Sequence, residues 1–140
     1  MAEGYAKKLI KDYDLNDVTA SSCGTFASSR YIVPKIVVKL LADEGIDASG
    51  HVSTPVNKEL VEKSDLILAM TSNHLLDVIS LFPSAKGKIH LFKAYAGSPG
   101  NVQDPMGRPD EVYLSCMNEI KECENKIFNK LFEKDKKNAN

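Results

Sequence analysis

Apolar residues recur at helical spacing in five stretches of the chain, and short apolar runs lie between some of them. Tyr5, Leu9, Ile10 and Tyr13 predict a first helix over residues 1–13. Ile36, Val37, Leu40 and Leu41 predict a second, ended by Gly45, a suitable residue just past a helix C-terminus. A short third follows over 58–63 with Asn57 as its N-cap. The fourth starts at Thr71–Asn73 and carries Leu75, Leu76, Ile79 and Phe82 on its apolar side, with Pro83 beyond. The longest runs from Asp110 to about Phe132. Its inner stripe is Tyr113, Cys116, Met117, Ile120, Cys123, Ile127, Phe128 and Leu131. Strands are predicted at Asp17–Cys23, which alternates weakly, at Asp65–Met70, a brief apolar run bounded by polar residues, and at Lys88–Phe92.

Strands alternating with helices predict an α/β fold, a small parallel sheet with helices on both faces. One domain is expected over 1–132, and a lysine- and asparagine-rich tail over 133–140 is expected to fray. In such folds a ligand sits at the carboxyl ends of strands, often where the first strand enters the first helix. Here that turn would fall just before Met1, so the first central strand is expected to be missing from these residues. Composition changes the picture little: 140 residues, 43% apolar and 26% charged, suit one soluble globular domain. A net charge of -1 gives no basic surface for nucleic acid. No apolar run is long enough to span a bilayer, and no signal-peptide pattern opens the chain, so neither a membrane nor a nucleic acid is a predicted partner. Three cysteines, an odd number, predict a reducing cytoplasmic location. Cys116 and Cys123 read as core residues and no histidine stands at ligand spacing, so neither metal nor cofactor is predicted.

Candidate chemistry concentrates in Asn101-Val-Gln-Asp-Pro-Met-Gly-Arg-Pro-Asp110. Pro105 holds Asp104 in extended geometry, and Gly107 permits a reversal. Pro109 suits the first helical turn, with Asp110 and Glu111 at the positive end of the helix dipole. A carboxylate on such a loop can act as a general acid over a pocket. The same residues also suit an ordinary Asp-Pro turn.

In order and spacing, these segments resemble the low-molecular-weight protein tyrosine phosphatases and their bacterial arginine-phosphatase and arsenate-reductase-like relatives. Met1-Ala-Glu-Gly resembles the segment after that family's Cys-(x)5-Arg-Ser-Pro phosphate loop. Ser21-Ser-Cys-Gly-Thr25, Glu44-Gly-Ile-Asp, Gly50-His51 and Ser64-Asp-Leu-Ile-Leu-Ala-Met-Thr71 match in turn, and Gly97 to Gly107 resembles the general-acid loop. The resemblance implies a four-stranded parallel sheet and a two-step phosphoryl transfer through a cysteinyl-phosphate, acting on a phosphorylated protein or a small phosphate ester. It implies Asp104 as general acid and His51 as a prop of the phosphate loop; on its own residues His51 would read as a surface or capping histidine. Thr25, Phe26 and Met106 are the implied substrate-pocket candidates.

The family's nucleophilic cysteine and its arginine have no counterpart among the 140 residues. Cys23 and Arg30 are separated by six residues, not five, and the segment between them opens into a connection, so Cys23 reads as a packed strand-end residue. The chain as given is therefore expected to be inactive and marginally stable, the start codon assigned late or the chain truncated. The alternative is a non-catalytic relative that binds a partner. Met106-Gly107-Arg108 stands where tyrosine-specific members carry aromatic residues, which favours the arginine-phosphatase branch over phosphotyrosine. No extra redox cysteines lie near Asp65–Met70, against an arsenate reductase.

Overall fold

The computed structural model describes residues 1–25 and 32–133. They form two units, one from the described parts of Met1–Ser21, Val33–Gly50 and Pro105–Asn140, the other from those of Ser22–Ile32 and His51–Asp104.

The first unit is helical. Helix α1 (Ala2–Asp12) buries Tyr5 and Leu9, one turn apart on one face. Helix α2 (Lys35–Asp43) buries Val37 and Leu41 by the same spacing. Both pack with Tyr113, Met117 and Phe128 of the 19-residue α6 (Asp110–Phe128). A Cβ added at Gly4 would stand 3.2 Å from Ile46 Cγ2 and 3.4 Å from Leu41 Cδ2, so glycine lets α1 approach closely here. Helix α2 ends as its sequence predicts. Gly45 takes φ +78°, its N–H donates to the Ala42 carbonyl, and the Ile46 N–H donates to the Leu41 carbonyl. Glu44 accepts from Lys8 at 3.0 Å and also from Lys121, tying the end of α2 to α1 and α6. Asn125 Nδ2 donates to the Tyr5 hydroxyl at 3.1 Å. Beyond α6 the chain makes a π-type turn, Asn129–Glu133.

The second unit carries the sheet. Strands β1 (Ile67–Ala69) and β2 (Ile89–Leu91) pair in parallel, Ile67 opposite Ile89. Helix α3 (Lys58–Lys63) is capped by Asn57, whose Oδ1 accepts from the Leu60 N–H at 2.9 Å. Helix α4 (Ser72–Leu81) and the short α5 (Phe92–Tyr95) each pack against both strands. A 3-10 turn, Pro83–Gly87, follows α4. Val61, Ala69, Val78, Ala85 and Ile89 form this unit's core.

The α/β class with a small parallel sheet is as the sequence predicts, and its details differ. The sheet has two strands among the described residues, not the four that the resemblance implies. Residues 17–23 form no strand. Only Gly24 pairs, in an isolated parallel bridge with Pro55: its N–H donates to the Thr54 carbonyl (3.0 Å) and its carbonyl accepts from Val56 (3.1 Å). Alternation does not make a strand unless the backbone groups find a ladder partner. Both strands are shorter than predicted, β1 spanning Ile67–Ala69 and β2 stopping at Leu91 because Phe92 opens α5. Leu76, expected on the inner side of α4, is 62% exposed. Cys116 and Cys123 are buried, as predicted, whereas Cys23 is exposed.

Candidate active site

The predicted acid loop is fastened at three levels. Its entry is set by glycine: Gly97 and Gly100 take φ +85° and +93°, which other residues rarely adopt. The Ser98 N–H closes back on the Lys93 carbonyl at 2.8 Å. In its middle, buried Val102 donates its N–H to the carbonyl of Met70, the residue after β1, at 2.8 Å. Next to it, Asn101 Oδ1 accepts from the Ser72 N–H at 3.0 Å and from the Ser72 hydroxyl at 3.3 Å. The loop is thereby stitched to the start of α4. That helix is separately capped by Thr71, whose hydroxyl oxygen accepts from the His74 N–H at 3.1 Å.

Two residues past Val102, Asp104 is exposed and lines an open cleft with Gln103 and, across from them, Thr71, Asn73, His74, Leu76 and Asp77 of α4 and its cap. The hydrogen bonds at Asn101 and Val102 fix how this part of the loop lies against the start of α4. An exposed carboxyl group at a cleft can, when protonated, donate its proton to a departing group, and the carboxylate left behind can accept one from water.

The remaining sequence-predicted residues are distributed as follows. Thr25 is half-buried and follows Gly24, so the bridge to Pro55 holds it beside residues 54–56. His51 is exposed, three residues before Thr54. Met106 is 57% exposed, in a turn closed by the Arg108 N–H donating to the Pro105 carbonyl at 2.9 Å, with Gly107 at φ +77°. Phe26 and Arg30 lie outside the described residues. Cys23 is no activated nucleophile: desolvation holds its thiol above the ordinary value, and the thiolate is the reactive form. Cys116 and Cys123 are buried within α6.

Sequence reading did not find the α4 wall or the clamp at Asn101. The sequence singles out neither, because Asn101 and Ser72 meet across 29 positions.

Residues 1–138 match the family described as low molecular weight phosphotyrosine protein phosphatase. The chain is 37% identical over 123 residues to a protein-arginine-phosphatase of Bacillus subtilis, covering 87% of this chain and 81% of that one. Among solved structures it is similar to a low molecular weight protein tyrosine phosphatase from T. tengcongensis, with TM-score 0.87 and 34% identity over 93% of this chain and 88% of that one. It is similar also to a mutant of the arginine phosphatase YwlE with a phosphorylated active-site serine, with TM-score 0.86 and 34% identity over 93% of this chain and 85% of that one.

Proposed function

The chain belongs to the low molecular weight phosphotyrosine protein phosphatase family, and from that premise we propose that it serves the removal of phosphate from protein side chains, phosphoarginine in preference to phosphotyrosine, with Asp104 as the proton donor. The observation that carries the reading is the acid loop itself, an Asp-Pro carboxylate fastened to the start of α4 at the edge of a cleft. The preference for phosphoarginine is supported by the relative from Bacillus subtilis and by Met106, Gly107 and Arg108 after the Asp-Pro pair, none of them aromatic.

Breaking the phosphorus–nitrogen bond of phosphoarginine or the phosphorus–oxygen bond of phosphotyrosine leaves a guanidine nitrogen or a phenoxide that needs a proton, and the protonated Asp104 supplies it. The same carboxylate then takes a proton from the water that attacks the phosphoenzyme. A covalent intermediate of this kind is supported by the relative that carries phosphate on its active-site serine. Thr25, Phe26 and Met106 are the pocket candidates and His51 the prop of the phosphate loop in this reading. The attacking thiolate and its arginine are not among Cys23, Cys116, Cys123, Arg30 and Arg108, so the 140 residues alone are expected to give no thiol-dependent turnover. In this reading residues 1–132 are the phosphatase-like domain, and three free cysteines suit the reducing cytoplasm.

The test compares hydrolysis of phosphoarginine and phosphotyrosine by the complete gene product. Phosphoarginine is expected to be the better substrate by kcat/KM, and a clear preference for the tyrosine ester would rule out the arginine assignment. Asp104→Asn is expected to lower kcat on tyrosine esters by about 10²–10⁴-fold, the usual range for a lost general acid. An unchanged rate would remove Asp104 from the mechanism.

A further inference from the structure

Two adjacent residues of the acid loop are bound to two nearby points, the end of β1 and the start of α4. Val102 gives its N–H to the carbonyl of Met70 at 2.8 Å, and Asn101 Oδ1 takes the Ser72 N–H at 3.0 Å and the Ser72 hydroxyl at 3.3 Å. A single backbone bond is a pivot about which the loop could still swing. The bond at Asn101, made one residue earlier to a group two residues further along, removes that freedom. Asp104 lies only two residues beyond Val102, so the direction in which the chain leaves this pair of bonds limits where its carboxyl group can stand. The Asn101 bond is also favoured by what it meets. Ser72 is the first residue of α4, and its N–H is one of the donors that a helix start leaves without an internal partner. Thr71 serves the His74 N–H, so Asn101 completes the cap from 29 positions away, with its oxygen at the positive end of the helix dipole.

We infer that Asn101 is the positioning residue of the general acid: its side-chain oxygen, held by the first residue of α4, keeps Asp104 where its proton meets the departing group. This deepens the phosphatase reading above and rests on it. Asn101 touches neither the proton nor the phosphate in this role. Its contribution therefore appears only where proton donation matters, in breaking a bond whose leaving group is a strong base. A phenolate needs that proton, whereas a dinitrophenolate, a far weaker base, leaves without it.

The experiment uses the complete gene product and two aryl esters, phenyl phosphate and 2,4-dinitrophenyl phosphate, compared by kcat/KM, which reports the bond-breaking step for both. Asn101→Ala is expected to lose about ten-fold on phenyl phosphate, the scale of a displaced catalytic group, and less than about two-fold on the dinitrophenyl ester. Asn101→Asp keeps an acceptor oxygen at the helix start and should recover most of the loss. Ser72→Ala should lose less than Asn101→Ala, because the N–H contact remains. Equal losses on the two esters would show a merely structural Asn101 and overturn the inference, and so would no loss on either. An Asn101→Asp variant as impaired on phenyl phosphate as Asn101→Ala would overturn it too, since the acceptor contact would then not be what holds the acid. Absence of hydrolysis of the dinitrophenyl ester by the wild-type product is a different outcome. It would remove the phosphatase reading itself, and this inference with it.

Discussion

Glu124 sits on α6 with 4% of its surface exposed and with Oε2 lacking any hydrogen-bond partner. Burial pushes its carboxyl up from 4.5 to about 8, and the α-amino group of Met1 draws it only partly back. Below about pH 4.5 the carboxyl holds its proton in the folded and unfolded chain alike. Between there and about 8 only the folded chain keeps it, so this contribution to stability declines as pH rises. The slope is at most about 1.4 kcal/mol per pH unit. Two neighbours act in the other sense. The Met1 amine, lowered by its own burial and faced also by Glu3 and Cys116, contributes stability that is lost as pH falls from 8.0. Glu44, held below its ordinary range by Lys121 and Lys8, contributes stability that is lost as pH falls below 4.5. Thermal melts of the 140-residue chain are therefore expected to peak near pH 5 and to decline toward neutrality. Glu124→Met should flatten that decline and add about 1–3 kcal/mol at pH 8, since an apolar side chain there leaves no polar atom unsatisfied. A melting temperature that climbs between pH 5 and 7 in the wild-type chain would show the sign to be wrong. The position was open to sequence reading, because Ile120, Glu124 and Phe128 are spaced by four along the buried stripe. Reading the stripe by apolar identity alone passes over it.

Among the elements, the junction of the acid loop with α4 has the clearest consequence. Asn101→Ala removes two acceptor contacts to Ser72, which is exposed, so water replaces them and the stability loss is expected to be small, about 0.5–1.5 kcal/mol. The effect on turnover should be larger, because the loop loses its register with α4 while Thr71 keeps the helix capped. A fall of roughly ten-fold in kcat with little change in melting temperature is the expected result. Equal losses in Asn101→Ala and Thr71→Ala would mean that helix stability, not loop register, is what matters. This junction also shows what could be read from sequence and what could not. The helices were legible because their determinants are local: Asn57 caps α3, Gly45 ends α2, and Tyr5 and Leu9 share a face of α1. The turn after Asp104 was legible from its own residues, the prolines and glycine of its loop. Two of the predicted strands were legible as apolar runs, at Ile67–Ala69 and Ile89–Leu91, but the third was not, since residues 17–23 form no ladder and only the adjoining Gly24 makes a bridge. The cleft was hidden for the same reason, its walls being joined by contacts remote in the chain.

At the scale of the molecule, the two cores differ in how their backbone hydrogen bonds are protected. Helix α6 satisfies its N–H groups internally over 19 residues and buries Tyr113, Cys116, Met117, Ile120, Cys123, Ile127 and Phe128 along one side. Strands β1 and β2 are three residues each, and among the described residues each has one hydrogen-bonded neighbour. Parallel strands are ordinarily buried within wider sheets, and a lone pair contributes little cooperative stability. Native-state hydrogen exchange should therefore find its slowest amides in the middle of α6, between Met117 and Ile127, with Ile67–Ala69 and Ile89–Leu91 exchanging sooner. Met117→Ala, at a side chain 2% exposed, is expected to cost roughly 2–5 kcal/mol against a total of about 5–15 for a domain of this kind, and to speed exchange throughout α6. If the β1 and β2 amides prove slowest and Met117→Ala leaves α6 protected, stability is centred on the sheet, and two short strands must then hold more of the fold than their hydrogen bonds account for.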